Sequence, residues 1–193
     1  GTAKQQDVQR FGEKISVQSR RLINIIDDII KLSEFDEGEM AKDFSRFDLH
    51  DLVKSVTAGL HEKAAQKNVT VEIQGEGPLL VHANRRMMDE LLYNLLDNAI
   101  KYNHDGGAVK ISLVQESKQC KITVRDTGIG IPDDHLDRVF ERFYRVDKSR
   151  SKKTGGTGLG LSIVKHIAEF HRGSVRIESD VDAGTSVTCV FPM

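Results

Sequence analysis

Apolar residues near the start of the chain repeat at helical spacing. Between Val8 and Leu32 they recur three, four and seven positions apart, which predicts an amphipathic helix. A stripe this long needs a partner, and no second helix of that length follows nearby, so we expect a bundle or coiled-coil helix. The pattern stops at Ser33, and Gly38 with the acidic residues before it indicates a linker. The stripe consists of Val8, Phe11, Ile15, Leu22, Ile25, Ile26, Ile29 and Leu32.

The rest of the chain alternates between helical and strand patterns. Asp48 and Asn84 are suited to cap two helices, and three helices are predicted at 48–68, 85–102 and 159–170. Strands of period two are predicted at 69–74, 79–82, 109–114, 120–125, 175–178 and 186–191, and the last four pair into two hairpins. Helices combined with antiparallel hairpins predict an α+β fold. We expect a two-layer sandwich of helices on a mixed, largely antiparallel sheet, not a doubly wound parallel sheet.

The composition narrows the class of protein. Of the 193 residues, 38% are hydrophobic and 30% are charged, which is typical of a soluble globular domain. The formal net charge is -1 and the basic residues are scattered, so no nucleic-acid surface is expected. No stretch approaches the roughly 18 apolar residues of a membrane span, and direct membrane contact is not expected. Residues 1–10 lack the apolar core of a secretion signal, and the start at Gly1 suggests a cut chain.

The two cysteines look structural. Cys120 and Cys189 each lie within an alternating apolar stretch, and their spacing is not that of metal ligands. We expect both to be reduced core residues of a cytosolic protein.

One predicted helix carries a polar face at a position where apolar residues would be equally possible. Asn94 and Asn98 are one turn apart and share this face with Lys101 and, nearby, Glu90. Magnesium takes oxygen ligands and often binds beside nucleotide phosphates, so an Asn carbonyl is a chemically reasonable ligand. A solvated helix face would explain any one of these residues alone.

Asp126 is a second candidate polar residue, and two glycines follow it closely. Asp126 ends a strand and precedes Gly128 and Gly130, so the backbone can approach a flat ligand, and the carboxylate can accept a hydrogen bond from an exocyclic amine. A simple Asx-turn is the alternative explanation of that segment. Further along, the glycine-rich segment 155–161 opens a helix, where exposed N–H groups favour phosphate.

Taken together, segments 94–102, 126–131, 140–147 and 155–161 resemble the N, G1, F and G2 boxes of sensor histidine kinases. The N and G boxes also mark the wider ATPase superfamily shared with gyrase, the Hsp90 chaperones and the MutL repair proteins. The resemblance covers residues 46–193. Residues 1–35 look like the second helix of the kinase dimerisation hairpin, and 36–45 would be a linker.

The resemblance implies roles for individual residues around ATP and Mg²⁺. Asn94 would be the magnesium ligand, Asn98 and Lys101 would approach the phosphates, Tyr102 would lie near the base, and Asp126 would accept from the adenine amine. Further nucleotide contacts are implied for Gly128, Gly130, Ile131, Gly156, Thr157, Gly158, Leu159 and Gly160.

Catalytic roles are implied for Glu90, Lys101 and Arg145. Arg145 would reach the γ-phosphate from a lid at 140–157, and Arg142 is a weaker candidate for that role. Glu90 could act as a base for the nucleophile or only position it, and both alternatives stay open because phosphoryl transfer needs little proton chemistry.

None of the seven histidines lies in the acceptor motif of this family, and we expect His50 and His61 to be surface residues. The resemblance therefore implies an ATP-binding kinase core whose acceptor helix precedes residue 1. The parent would be a homodimer and would pass phosphate to the receiver domain of a response regulator. The resemblance also implies a cytoplasmic module of a membrane-anchored protein.

Two other functions remain open at this stage. A gyrase- or MutL-type ATPase would have the same fold, although the F box and the leading bundle helix argue against it. A docking module that has lost catalysis is the second alternative, and the intact Asn94, Asn98 and Asp126 argue against it.

Overall fold

The structure is a computed structural model, which describes residues 5–36, 43–75, 77–146 and 156–193. Its helices are α1 (Gln5–Asp36), α2 (Leu49–Gly59), α3 (His61–Ala65), α4 (Arg85–Lys101), α5 (Asp133–Leu136) and α6 (Gly160–Phe170). Its strands are β1 (Phe44–Asp48), β2 (Thr70–Gln74), β3 (Leu80–Asn84), β4 (Ala108–Glu116), β5 (Gln119–Asp126), β6 (Ser174–Asp180) and β7 (Gly184–Pro192).

A five-stranded sheet in the order β2-β4-β5-β7-β6 forms one layer of the domain. Strand β2 runs parallel to β4, whereas the other neighbouring pairs are antiparallel. Alternation places one row of apolar side chains inward, including Ile111 of β4, Ile122 of β5 and Cys189 of β7. Helices α4 and α6 pack on this inner face. The α+β prediction of a mixed, largely antiparallel sheet covered by helices is confirmed.

Helix α4 is fixed along its length by a buried apolar stripe. Its first turn is capped as predicted, because the Asn84 side-chain oxygen accepts a hydrogen bond from the backbone N–H of Met87 at 3.0 Å. Eight side chains of the helix are buried: Met87, Met88, Leu91, Leu92, Leu95, Leu96, Ala99 and Ile100. Polar chemistry on α4 is therefore left to the residues beside and opposite this stripe.

The segment between α1 and β2 differs from the prediction. Strand β1 was not predicted, and it pairs with β3 in a separate two-stranded sheet, with Phe47 opposite Val81. The single helix predicted at 48–68 is divided at Leu60, next to Gly59, where low helix propensity weakens the helix. Asp48 caps α2 as expected by accepting from the backbone N–H of His50.

The expectation that His50 lies on the surface is wrong, whereas His61 is exposed as expected. His50 is buried against Gly75, where the lack of a side chain leaves room for the imidazole ring. Neither of its buried ring nitrogens has a hydrogen-bond partner among the described residues.

The long amphipathic helix at the start of the chain is confirmed as α1. Leu32 near its end is buried, but most of its apolar side chains are exposed. No helix in the described ranges combines the length and the hydrophobicity needed to span a bilayer. The exposed apolar residues of α1 are Val8, Phe11, Ile15, Val17, Leu22, Ile23, Ile26, Ile29 and Ile30.

Both cysteines are free and buried, as predicted. Burial raises the pKa of the Cys120 thiol to about 11 and that of Cys189 to about 12. Both thiols therefore stay protonated and unreactive at neutral pH.

A buried histidine connects α6 to the capped start of α4. His171 Nε2 accepts a hydrogen bond from the backbone N–H of Asn84 at 3.1 Å, and Nδ1 lies 2.8 Å from the carbonyl oxygen of Ile167. The rings of Phe44 and Phe191 surround it, with centroids 5.2 and 6.1 Å away. Burial lowers the pKa of His171 below its ordinary value of 6.5.

We predict that the free energy of unfolding decreases as the pH falls below about 6.5. The unfolded chain takes up a proton at His171 near that pH, whereas the folded chain does so only at a lower pH, so acid favours the unfolded state. One proton limits this contribution to about 1.4 kcal/mol per pH unit. Denaturant unfolding at pH 7.5 and 5.5 should show a smaller pH dependence for His171→Gln, whereas His61→Gln at an exposed position should leave the dependence unchanged. An identical pH dependence in all three proteins would contradict the assignment to His171.

Candidate nucleotide-binding site

The polar face of α4 forms one wall of the candidate site. Asn94 donates through Nδ2 to the backbone oxygen of Glu90 at 2.8 Å and to its carboxylate at 3.0 Å. These bonds turn the Asn94 side-chain oxygen away from Glu90. Asn98 lies one turn further, and Lys101 lies at the end of the helix with its ammonium 5.3 Å from the centre of the Tyr102 ring. The four polar residues predicted to share a face do so.

The glycine-rich segment before α6 lies directly against that face. A Cβ atom on Gly160 would stand 2.7 Å from Asn94 Oδ1 and 3.5 Å from Asn98 Nδ2. A Cβ atom on Gly156 would stand 2.9 Å from Lys101 Nζ. Side chains at either position would therefore fill the space in front of the α4 polar groups. Helix α6 begins at Gly160 without a side-chain cap. No capping side chain therefore accepts from the first backbone N–H groups of this helix.

Asp126 lies at the end of β5 and is buried. Its Oδ1 atom accepts hydrogen bonds from the backbone N–H of Gly128 at 2.8 Å and of Thr185 at 3.3 Å. Burial raises the pKa of the Asp126 carboxyl, and the two N–H donors partly offset this effect. The Asx-type bond to Gly128, which was the alternative explanation of this segment, is therefore present, and it uses one carboxylate oxygen.

The turn after β5 is held by close backbone contacts. The N–H of Ile129 donates to the carbonyl oxygen of Tyr102 at 3.1 Å, and a Cβ atom on Gly128 would overlap that same oxygen. Gly130 has φ of 66° and packs on the backbone of Asp180 in β6, so a side chain there would be both strained and blocked.

Two residues that were predicted to contact the nucleotide make other interactions through their backbone N–H groups. The backbone N–H of Ile131 donates to the Ser179 hydroxyl at 2.8 Å. The Leu159 side chain is fully buried in the core, and its N–H donates to Thr157 Oγ1 at 3.2 Å. Nucleotide contacts of Gly130, Ile131 and Leu159 remain predictions.

The two ends of the predicted lid meet. The backbone N–H of Phe143 donates to the carbonyl oxygen of Gly158 at 2.8 Å, while Tyr144 contacts His135 through its hydroxyl. Burial lowers the pKa of Lys101, Asp97 opposes this shift, and the positive charge of Arg145 adds to it. Of the lid predicted at 140–157, residues 147–155 lie outside the described residues.

Helix α1 contributes two side chains to the site that the sequence pattern did not predict. Asp28 accepts a hydrogen bond from the Thr157 hydroxyl at 2.8 Å. One turn later, the Lys31 ammonium lies 2.9 Å from both carboxylate oxygens of Glu90. Burial raises the pKa of Asp28, although Thr157 and Lys31 act in the opposite direction. Asp28 and Lys31 are three positions apart and therefore lie on one face of α1. The sequence does not reveal that this face is turned toward α4.

The donor set suits a phosphate-rich ligand with a hard metal ion. Asn94 presents an amide oxygen, Asn98 and Lys101 present donors or positive charge, and Gly156 and Gly160 keep the space in front of them clear. Amide oxygens are suitable Mg²⁺ ligands, and backbone N–H groups with an ammonium suit phosphate.

Comparison with known proteins gives the family. Residues 83–193 match the family described as histidine kinase-, DNA gyrase B- and HSP90-like ATPase. The chain is 39% identical over 187 residues to the sensor-like histidine kinase SenX3 of Mycolicibacterium smegmatis, covering 96% of this chain and 48% of that protein. It is 40% identical to the sensor histidine kinase RppB of Synechocystis, covering 91% of this chain and 39% of that protein. The chain thus spans less than half the length of these curated relatives.

A solved structure shares the fold over nearly the whole chain. It is histidine kinase ThkA in complex with the response regulator protein TrrA, with a TM-score of 0.76 and 23% identity, covering 99% of this chain and 53% of that one. The resemblance stated from the sequence motifs is confirmed. This chain belongs to the histidine kinase-, DNA gyrase B- and HSP90-like ATPase family.

Proposed function

We propose that this chain binds ATP with Mg²⁺ as the kinase core of a sensor histidine kinase. The γ-phosphate would go to a histidine of the parent protein and then to an aspartate of a response regulator. The observation that carries this proposal is the approach of the glycine-rich segment to α4, with Gly160 facing Asn94 and Gly156 facing Lys101. Two sequence segments far apart in the chain thus face one space lined by groups suited to phosphate and to a metal ion.

Each part of the site has a specific role in the proposal. Asn94 contributes its amide oxygen to Mg²⁺, and Asn98 and Lys101 bind the phosphates. Mg²⁺ supplies charge neutralisation of the phosphate oxygens. Tyr102 flanks the base, and Asp126 accepts from the adenine amine through the carboxylate oxygen not used by Gly128.

Glu90 fits a positioning role in this arrangement. Its carboxylate accepts from the Asn94 amide nitrogen, which leaves the amide oxygen directed to Gly160. The ion pair with Lys31 engages both carboxylate oxygens, so action as a base would require that pair to open. Arg145 is proposed to contact the γ-phosphate, and its electrostatic proximity to Lys101 supports that position.

Partners of the whole protein follow from the same proposal. The exposed apolar stripe of α1, which includes Phe11, Ile15 and Leu22, supports pairing with further helices in a homodimeric bundle. The complex of ThkA with TrrA supports a response regulator as the recipient of phosphate. We also propose a cytoplasmic position in a membrane-anchored sensor, which the free buried cysteines and the sensor kinase relatives support.

The central test is Asp126→Asn. The new amide would place its NH₂ group against the adenine amine, because the side-chain oxygen is retained by the Gly128 and Thr185 N–H groups. We expect ATP-analogue binding measured by calorimetry to weaken by roughly 1 to 3 kcal/mol. The control is Asp133→Asn at an exposed position of α5. Equal affinity in both variants would remove the adenine assignment, and no ATP binding by the unmodified chain would favour a docking module.

The magnesium assignment predicts a conditional effect of Asn94→Ala. Because the side chain is proposed to act through the metal, nucleotide binding should weaken more with Mg²⁺ than in the presence of a chelator. Titrations under the two conditions measure the difference, and Tyr93→Phe on the exposed side of α4 serves as a control. Similar losses with and without Mg²⁺ would refute the ligand role.

We further predict that the chain binds ATP without acquiring a stable label from [γ-³²P]ATP. None of its histidines lies in an acceptor motif, and His50 is buried, so no histidine among the described residues is expected to act as the nucleophile. The measurement is acid-labile label retained on the purified chain, compared with the full-length parent protein. Label on the present chain would contradict the prediction, and His61→Gln would then test the exposed candidate.

A further inference from the structure

Asn103 lies between the two residues proposed to hold adenine, although it belongs to no predicted site. It follows Tyr102 at the end of α4, and its side chain is only 4% exposed. A buried amide is costly unless its donors and acceptors are paired. The hydrogen-bond partners of Asn103 therefore show which segments its side chain holds together.

The Asn103 side chain bonds to two separate backbone groups and to one hydroxyl. Its Nδ2 donates to the carbonyl oxygen of Ala108 at 3.0 Å, where β4 begins. Its Oδ1 accepts from the backbone N–H of His104 at 3.0 Å and from the Thr127 hydroxyl at 3.2 Å. The amide thus joins the end of α4 to the first residue of β4 and to the residue that follows Asp126.

Thr127 closes the same network from the other side. Its hydroxyl accepts from the backbone N–H of Ala108 at 2.9 Å, and its own N–H donates to the Ala108 carbonyl oxygen at 3.1 Å. Gly107 lies so close that a Cβ atom there would overlap Asn103 Oδ1 and stand 2.9 Å from Thr127 Oγ1. No space is left for the amide to shift without moving one of these segments.

We propose that Asn103 is a positioning residue that sets the distance between Tyr102 and Asp126, and thereby the preference for adenine. This inference rests on the proposed function. Tyr102 and Asp126 lie on different elements, α4 and β5, and the Asn103–Thr127 bond joins the residues directly next to them. Loss of the bond leaves the Ile129–Tyr102 backbone bond as the remaining direct link, and the Asp126 end of the turn shifts relative to Tyr102. The carboxylate then no longer meets an exocyclic amine at hydrogen-bonding distance, whereas phosphate binding on α4 and at Gly160 is unaffected.

The experiment compares affinities for MgATP, MgGTP and magnesium tripolyphosphate. For Asn103→Ala we expect ATP affinity to fall about tenfold, the size of a lost hydrogen bond to a buried polar group. Affinities for GTP and tripolyphosphate should change less than about twofold, because neither depends on an adenine amine. The ratio of ATP to GTP affinity is the decisive quantity, since a general loss of stability would lower all three affinities together.

Two further variants separate positioning from folding. Asn84→Ala removes another buried amide, at the opposite end of α4, and should reduce stability while the ATP to GTP ratio stays as in the unmodified chain. Thr127→Val keeps the shape of an accessible side chain but removes the hydroxyl that bonds Asn103, so it should lower the ratio in the same direction. It also keeps the inference testable where Asn103→Ala does not fold.

An unchanged ATP to GTP ratio in Thr127→Val and in any folded Asn103→Ala would overturn the inference and leave the proposed function intact. Failure of the unmodified chain to prefer ATP would instead overturn the proposed adenine site, and the inference with it.

Discussion

The burial of one side of α4 is the constraint on which the rest of the site depends. Leu91, Leu95 and Ala99 and their neighbours fill the space above the sheet, and this burial fixes the rotation of the helix about its axis. With 3.6 residues per turn, Asn94 and Asn98 then lie along one edge of the buried stripe, where both are partly buried. The same apolar area that stabilises the domain therefore sets the side of α4 from which these polar groups extend, and the bonds to Glu90 then orient the Asn94 amide.

The close approach of other atoms to the backbone is the second constraint. It explains why glycines occur at these positions better than backbone flexibility does. Gly160 and Gly156 face the α4 side chains, whereas Gly128 faces the Tyr102 carbonyl and Gly130 faces β6. The first pair keeps a cleft open, and the second pair lets a turn pack closely. Glycines in adjacent boxes thus serve different purposes, since one set makes room for a ligand and the other fixes the wall beside it.

Helix α1 is joined to this site by polar contacts of modest individual strength. The Lys31–Glu90 pair is partly exposed, and ion pairs of this kind contribute about 1 kcal/mol or less. The Asp28–Thr157 hydrogen bond adds a contact to the glycine-rich segment. Leu32, the residue after Lys31, is buried in the core, so apolar packing also holds this end of α1.

The sequence alone determined the elements whose information is local. Periodicity defined α1, α4 and both hairpins, and the cap at Asn84 and the shared face of Asn94 and Asn98 follow from helix geometry. The four boxes, read in their order along the chain, identified the family. These features need only neighbours along the chain or a fixed motif order, so the fold and most of the candidate site were predictable.

Only the tertiary structure decided the contacts between segments far apart in sequence. Strand β1 exists because β3 pairs with it, and His50 is buried because Gly75 leaves room beside α2. The bonds of Asn103 to Thr127 and of Lys31 to Glu90 likewise join distant positions through side chains whose residue types are common on exposed surfaces. Such contacts depend on how whole elements pack, and no periodicity or spacing along the chain encodes that packing.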